Sequence, residues 1–230
     1  MSRIISIEGN IGSGKSTLVT DLQIYFKNKG ITNDKVVFLQ EPVDIWNTIR
    51  DDEGTILEHF YKDQDKYSFP FQMMAYISRL AKIREAIKKY PKAIIITERS
   101  LYTDKYVFAK MLYDNNKIDE VSYQIYLKWF NHFIEDLPKH EFIYIKTKPE
   151  KCLERINKRN RSGENIELEY LDNCDKYHDR MLTAQECFSD LVLDGNIDMG
   201  DSHGEYNIHI NSIELMIFNK YETNEKEITL

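Results

Sequence analysis

Three observations predict an α/β fold of three layers, with a five-stranded parallel sheet between two layers of helices. Short apolar runs at 4–7, 36–39, 93–97, 141–146 and 206–210 alternate with longer stretches of helical period. Most are apolar almost throughout, as strands buried on both faces are. A glycine-rich turn joins the first run directly to a helix, and charged residues stand at the carboxyl ends of the next two. Such alternation is the pattern of a parallel sheet covered on both faces.

The elements follow in order. Ile4-Ile5-Ser6-Ile7 leads into Gly9-Asn10-Ile11-Gly12-Ser13-Gly14-Lys15-Ser16-Thr17. Residues 15–29 read as an amphipathic helix stopped near Gly30, a residue suited to a C-cap. Val36-Val37-Phe38-Leu39 is a second strand, closed by Glu41-Pro42. Residues 44–62 read as loose helix broken at Gly54. A long helix is expected from Ser68-Phe69-Pro70, where serine caps and proline suits the first turn, to about Lys89. Residues 93–97 form the third strand, ending in Glu98-Arg99-Ser100. Helices are expected over 102–114 and 119–136, joined by a polar turn. The fourth strand is followed by Pro149, which opens a helix running into the basic segment 158–163. Residues 166–186 read as helix, 194–205 as an acidic surface loop, and 206–210 as the last strand. The tail 221–230 is expected to be frayed. No repeat or linker interrupts the chain, so residues 1–230 are expected to form one domain.

Composition removes several classes. A net charge of −7 argues against a general nucleic-acid binder, whose surface would be basic. Cys152, Cys174 and Cys187 are odd in number and far apart, with no Cys-x-x-Cys spacing, so reduced thiols and a reducing compartment are expected. No apolar run reaches transmembrane length, and the first strand leaves no room for a signal peptide. A soluble, cytoplasmic protein with no membrane partner is the expectation.

The chemistry begins at Gly-x-x-x-x-Gly-Lys-Ser between a strand and a helix. Glycine turns let backbone N–H groups close around phosphate oxygens, and the helix start adds unpaired N–H groups and partial positive charge. Lys15 reaches the β- and γ-phosphates of a bound nucleoside triphosphate, and Ser16 takes a place on Mg²⁺. Ligands in such sheets lie outside the carboxyl ends of the strands, so the loop, Glu41-Pro42 and Glu98-Arg99 should meet at one crevice.

A GTPase would carry Asp-x-x-Gly after a strand and Asn-Lys-x-Asp. Asp51-Asp52-Glu53-Gly54 follows no strand, and Asn157-Lys158-Arg159-Asn160 lacks the aspartate. A phosphoryl transferase needs metal ligands, a base for the acceptor and cations for the transition state. Glu98 suits the metal, Glu41 the proton of an acceptor hydroxyl, and Arg99 a bridge between Glu41 and phosphate. Arg155, Arg159 and Arg161, with Gly163 as hinge, read as an arginine-rich lid over about 155–166, or else as an exposed basic turn. The chain is lysine-rich, yet five of its nine arginines (79, 99, 155, 159, 161) stand where phosphate or base recognition would use them.

Ile7-Glu8-Gly9 through Thr17, Glu41-Pro42-Val43 with Trp46, Phe69 and Phe71-Gln72, and Glu98-Arg99-Ser100-Leu101-Tyr102-Thr103-Asp104 together resemble the deoxynucleoside kinase family. Cys152-Leu153-Glu154-Arg155, Arg159-Asn160-Arg161 and Leu168-Glu169-Tyr170-Leu171 extend the resemblance, which runs from about residue 3 to 182 in the same order. The resemblance implies a P-loop kinase that uses ATP and Mg²⁺ to phosphorylate the 5′-hydroxyl of a deoxynucleoside. Glu41 would be its base and Arg99 would position it; Ser16 and Glu98 would serve the metal. Lys15, Arg155, Arg159 and Arg161 would hold phosphates, Tyr61 and Glu164 the sugar 3′-hydroxyl, and Gln72 the base edge. Trp46 and Phe71 would enclose the ring, with Phe108 nearby.

Gln72, Ala75 and Arg79 lie at i, i+3 and i+7 on one helical face. Family members that prefer deoxycytidine and purine deoxynucleosides carry an arginine and an aspartate at the positions of Arg79 and Asp104. That resemblance favours those substrates over thymidine; a helix-to-helix salt bridge with no selective role is the alternative. It also implies a homodimer through 68–89 and 102–136, with Tyr126, Trp129 and Phe130 on the shared face. A broad or thymidine-preferring kinase, a nucleoside monophosphate kinase of the thymidylate type, and a nucleotide-dependent switch remain the competing readings. The similarity weakens near Asn165-Ile166 and across 183–206.

Overall fold

The protein was analysed as a computed structural model that describes residues 2–161, 164–184, 186–197 and 203–227. The expected hinge at Gly163 lies outside the described residues.

β1 (Arg3–Glu8) runs into the glycine loop and α1 (Lys15–Asn28). Gly30 follows with φ +76°, the left-handed turn that stops the helix. β2 (Val36–Leu39) ends before Glu41-Pro42, and α2 (Val43–Trp46) is one short helical turn. The loose helix expected over 44–62 is instead α2, an antiparallel pair of two-residue strands, β3 (Arg50–Asp51) and β4 (Gly54–Thr55), and α3 (Ile56–Lys62). A capping box starts α3. The Thr55 hydroxyl accepts from the Glu58 N–H at 3.2 Å, and the Glu58 carboxylate accepts from the Thr55 N–H at 2.8 Å. That local signal outweighs helical continuity through Gly54.

α4 (Gln64–Lys89) begins four residues before Ser68, because Asp63 caps it by accepting from the Lys66 N–H at 3.2 Å. Pro70 therefore lies inside the helix, where its ring removes one i→i−4 hydrogen bond. β5 (Ile94–Glu98) is buried throughout. The helix expected over 102–114 is α5 (Leu101–Thr103), a π-helical turn at Asp104–Ala109, and α6 (Lys110–Asp114). α7 (Glu120–Ile134), β6 (His140–Lys146), α8 (Pro149–Arg159) and α9 (Leu168–Thr183) follow.

The end of the chain departs most from expectation. β7 (Leu191–Asp194) is the fifth sheet strand, and 206–210 belongs to α10 (His203–Glu227). Tyr206, Ile208 and Ile210 alternate like a strand, but the buried set is Ile210, Ile213 and Ile217, at helical spacing, while Ile208 is exposed. α10 extends to Glu227, and the last residues of the tail expected to fray, 228–230, lie outside the described residues.

The sheet order is β2-β5-β1-β6-β7, and every pairing is parallel. Successive β1 residues point to opposite layers. Ile5 and Ile7 pack with Leu18, Leu22 and Phe26 of α1 and with α10; Ile4 packs with Tyr76, Leu80 and Ile83 of α4 and with Tyr126 and Phe130 of α7. Tyr126 and Phe130 are thus fully buried within the subunit, and only Trp129 of the three expected interface aromatics faces outward. Among the described residues no helix is long and apolar enough to cross a membrane.

Candidate active site

Parallel strands deliver their carboxyl ends to one edge, and three of them meet there at a cleft of about 990 Å³. Ile11, Gly12, Gly14, Lys15, Ser16 and Thr17 line it from the loop after β1. Gly9, Asn10 and Ser13 do not; they form the inner side of the loop. Gly12 has φ +77°, and a Cβ there would lie 2.5 Å from the Cys152 carbonyl oxygen of α8. The Asn10 side chain donates to the Leu171 carbonyl at 2.9 Å, tying the loop to α9. Lys15 Nζ donates to the Asn10 carbonyl at 2.6 Å and more weakly to Ser13 Oγ at 3.4 Å. Burial and the nearby Arg99 lower the Lys15 amine to about 7, against partial opposition from Glu98 and Glu41.

The tip of β5 supplies two charges. Glu98 Oε1 accepts from Ser16 Oγ at 2.6 Å, so the two oxygens expected to face a metal are neighbours. Arg99 adopts φ 61°, a left-handed conformation that costs a residue with a Cβ about 1–2 kcal/mol. Its N–H donates to Ile7 at 3.0 Å and its carbonyl accepts from Thr97 Oγ1 at 2.9 Å, which fixes the turn. The guanidinium lies 5.2 Å over the Phe108 ring, and its Nε is buried without a partner among the described residues.

Glu41, from the tip of β2, meets two arginines at one oxygen. Arg99 Nη1 donates to Glu41 Oε1 at 2.8 Å and Arg79 Nη2 donates to the same atom at 3.0 Å. Among the described residues no hydrogen bond reaches Oε2. Burial alone would raise this carboxyl, but Arg99, Arg79 and Lys15 outweigh it and bring it down to about 2. Arg79 is itself buried. It donates Nε to Asp104 Oδ2 at 2.9 Å, Nη2 to Asp104 Oδ1 at 3.3 Å, and Nη1 to the Glu98 carbonyl at 2.7 Å. The Arg79–Asp104 pair therefore forms, and it also carries Glu41.

Aromatic rings enclose the adjoining part of the cleft. Trp46 meets Phe71 edge-on at 5.4 Å, and Phe71 stacks on Phe60 at 4.7 Å. Gln72, Ala75, Arg79, Asp104 and Phe108 complete the wall, and Gln72 Oε1 is buried with no partner among the described residues. Tyr61 and Glu164 also line it. Burial first, then Glu164, push the Tyr61 hydroxyl above its usual range.

The expected lid arginines all reach the cleft but differ in their partners. Arg155 donates Nη1 to the Gly195 carbonyl at 2.7 Å and Nη2 to that of Ile197 at 2.9 Å. Arg159 donates to the Glu164 carboxylate, and Arg161 is exposed.

The matching family model is that of the deoxynucleoside kinases, over residues 5–217. The chain belongs to the deoxynucleoside kinase family. The kinase is 34% identical over 230 residues to a deoxycytidine kinase of Bos taurus, covering 86% of each chain. It is 34% identical over 183 residues to a probable deoxycytidine kinase of Fowlpox virus (78% of this chain, 71% of that one). It is 30% identical over 201 residues to a mitochondrial deoxyguanosine kinase of Xenopus laevis (79% and 73%).

Sequence reasoning about this kinase missed Leu57, Phe60 and Tyr170 as lining, and the Lys82–Asp44 pair (3.3 Å) beside the cleft. Tyr170 stood within a motif already singled out. The others carried no signal, since Leu57 and Phe60 on an amphipathic helix look like core.

Proposed function

We propose that the kinase transfers the γ-phosphate of ATP to the 5′-hydroxyl of a 2′-deoxynucleoside, and that deoxycytidine and purine deoxynucleosides are favoured over thymidine. One observation carries the reading: Glu41 is held by two arginines through Oε1 alone, so Oε2 remains to accept a hydrogen bond from an acceptor hydroxyl. The carboxylate sits between the Lys15 loop and the aromatic slot, which suits an alcohol attacking a terminal phosphate.

A carboxylate near 2 is a weak base toward a free alcohol. In phosphoryl transfer the transition state is loose, and the proton is needed only as the new bond forms. Glu41 then orients the hydroxyl and receives its proton late, while Arg99, with its unpaired Nε, adds charge toward the transferring group. Lys15 binds the β- and γ-phosphates. Arg155, Arg159 and Arg161, in a lid over about 155–166, add the outer contacts. Ser16 Oγ and Glu98 offer the hard oxygens Mg²⁺ prefers, alongside nucleotide phosphates and water. Bound there, Mg²⁺ supplies neutralisation of phosphate charge.

On the acceptor side Gln72 reads the base edge, Trp46 and Phe71 enclose the ring, and Tyr61 and Glu164 receive the 3′-hydroxyl. The buried Arg79–Asp104 pair supports the base preference by leaving less room for a thymine methyl. Val121, Ile125 and Trp129 lie at i, i+4 and i+8 of α7 and are all exposed, as is Ile77 of α4. They support a homodimer through these helices. The three buried free cysteines support a reducing compartment, the cytosol.

The test is product analysis with ATP·Mg and each of the four deoxynucleosides. ADP and a 5′-monophosphate should form in equal amounts, with thymidine showing the lowest kcat/KM. No ADP with any of the four contradicts the proposal.

A further inference from the structure

Two adjacent residues of α4 hold the two ends of one short segment. Arg79 donates to Glu41 at 3.0 Å, and Ser78 Oγ accepts from Trp46 Nε1 at 2.9 Å. Between Glu41 and Trp46 the chain makes only Pro42 and the single turn of α2. That turn has no side-chain cap, so its orientation depends on what its ends touch.

The Trp46 ring is buried and lines the cleft against Phe71. Contacts between rings are individually weak and tolerate sliding or tilting. The indole N–H is the ring's one directional group, and its acceptor is rigid. Ser78 is 5% exposed, and its hydroxyl donates to the Met74 carbonyl of its own helix at 2.7 Å, with the Ala75 carbonyl at 3.1 Å. With its only proton committed to the preceding turn, the oxygen turns a lone pair to the indole. Ser78 itself does not line the cleft.

We propose that Ser78 is a positioning residue that locks the Trp46 ring as a fixed wall of the base slot, and so sets which bases the slot admits. The inference rests on reading the cleft as a deoxynucleoside site. Glu41 is held separately by Arg79 and Arg99, so loss of the Ser78 contact acts on acceptor binding and spares the chemical step.

The test uses the two tryptophans, Trp46 and Trp129. In a Trp129→Phe background, which serves as the reference, Trp46 is the sole tryptophan and is read by red-edge excitation that spares the tyrosines. There Ser78→Ala leaves a buried N–H unpaired, and KM for the preferred deoxynucleoside should rise about tenfold. The same variant should keep kcat and the KM for ATP within about twofold of the reference, an expectation that follows from the separate anchoring of Glu41. Trp46 emission should shift and become more open to acrylamide quenching. Ser78→Thr, which keeps the hydroxyl, should restore all of these values.

A Trp46→Phe background completes the cycle. Phenylalanine has no N–H, so Ser78→Ala should add less than about a twofold change there. An unchanged nucleoside KM in the first background overturns the proposal, as does an equal loss for both substrates or an undiminished effect in Trp46→Phe. Should Ser78→Ala fold poorly, recovery of folding in the Trp46→Phe background supports the contact, and continued failure there overturns it. Absence of turnover by the unaltered kinase with any of the four deoxynucleosides contradicts the kinase reading itself, which separates the two failures.

Discussion

The two walls of the cleft hold their arginines in opposite ways. On the wall proposed for the acceptor the side chains of Arg79 and Arg99 are 3% and 6% exposed, and both are bound to carboxylates. On the wall proposed for the donor Arg159 is 36% exposed and pairs with Glu164 alone among the described residues, while Arg155 is turned to the carbonyls of Gly195 and Ile197. The buried set is assembled before any substrate arrives, and its charges stabilise one another out of water. The outer set is more open to water, and exposed Arg161 can meet a phosphate at little cost to the fold. The acceptor wall should therefore be sensitive in stability and in chemistry, and the exposed end of the donor wall in nucleotide binding only.

Arg79→Met breaks the first wall hardest. It strands Asp104 as an unpaired buried carboxylate and leaves Glu41 on Arg99 alone, at a cost of about 3–5 kcal/mol. For a chain of this size that lowers Tm by about 10 °C. Thermal unfolding should show that loss, and Asp104→Leu added to Arg79→Met should recover part of it. No recovery would mean that the pair is not the source.

Arg161→Ala, at an exposed side chain, should weaken the second wall without touching the first. Its Tm should stay within about 2 °C of the parent, while kcat/KM for ATP falls about tenfold and the nucleoside KM holds. A large Tm loss would erase the contrast between the walls.

The smallest effect is a proton. Burial lowers the Lys15 amine to about 7, so at pH 8 much of it is neutral in the free kinase. Binding of phosphate oxygens favours the charged form. ATP binding at pH 8 should then take up a fraction of one proton, falling toward zero well below pH 7. Calorimetry in two buffers of different ionisation enthalpy reads this directly, and uptake that does not change with pH would remove Lys15 as its source.

Legibility in the sequence follows the range of the interaction concerned. The phosphate loop is visible because its glycines, lysine and serine act within eight residues. Glu41, Glu98 and Arg99 are visible because parallel strands bring their carboxyl ends to one edge whatever the helices do. Residues 206–210 mislead because Tyr206, Ile208 and Ile210 satisfy a two-residue period over a window too short to show Ile213 and Ile217. Tyr126 and Phe130 mislead because a helix that is apolar on most sides does not announce which side is covered. Ser78 is silent, since a serine inside a helix looks alike whether it meets water or an indole. The π-helical turn that begins at Asp104 has no composition of its own.

The central claim is that Glu41 stands over a loop-bound triphosphate and takes the proton of the acceptor's primary alcohol. Single-turnover phosphorylation by Glu41→Gln, measured beside its ATP dissociation constant, tests it most directly. The account predicts a rate reduced about 10³-fold, in the range of a lost general base, with ATP affinity changed by less than about twofold. A rate within tenfold of the parent would contradict it.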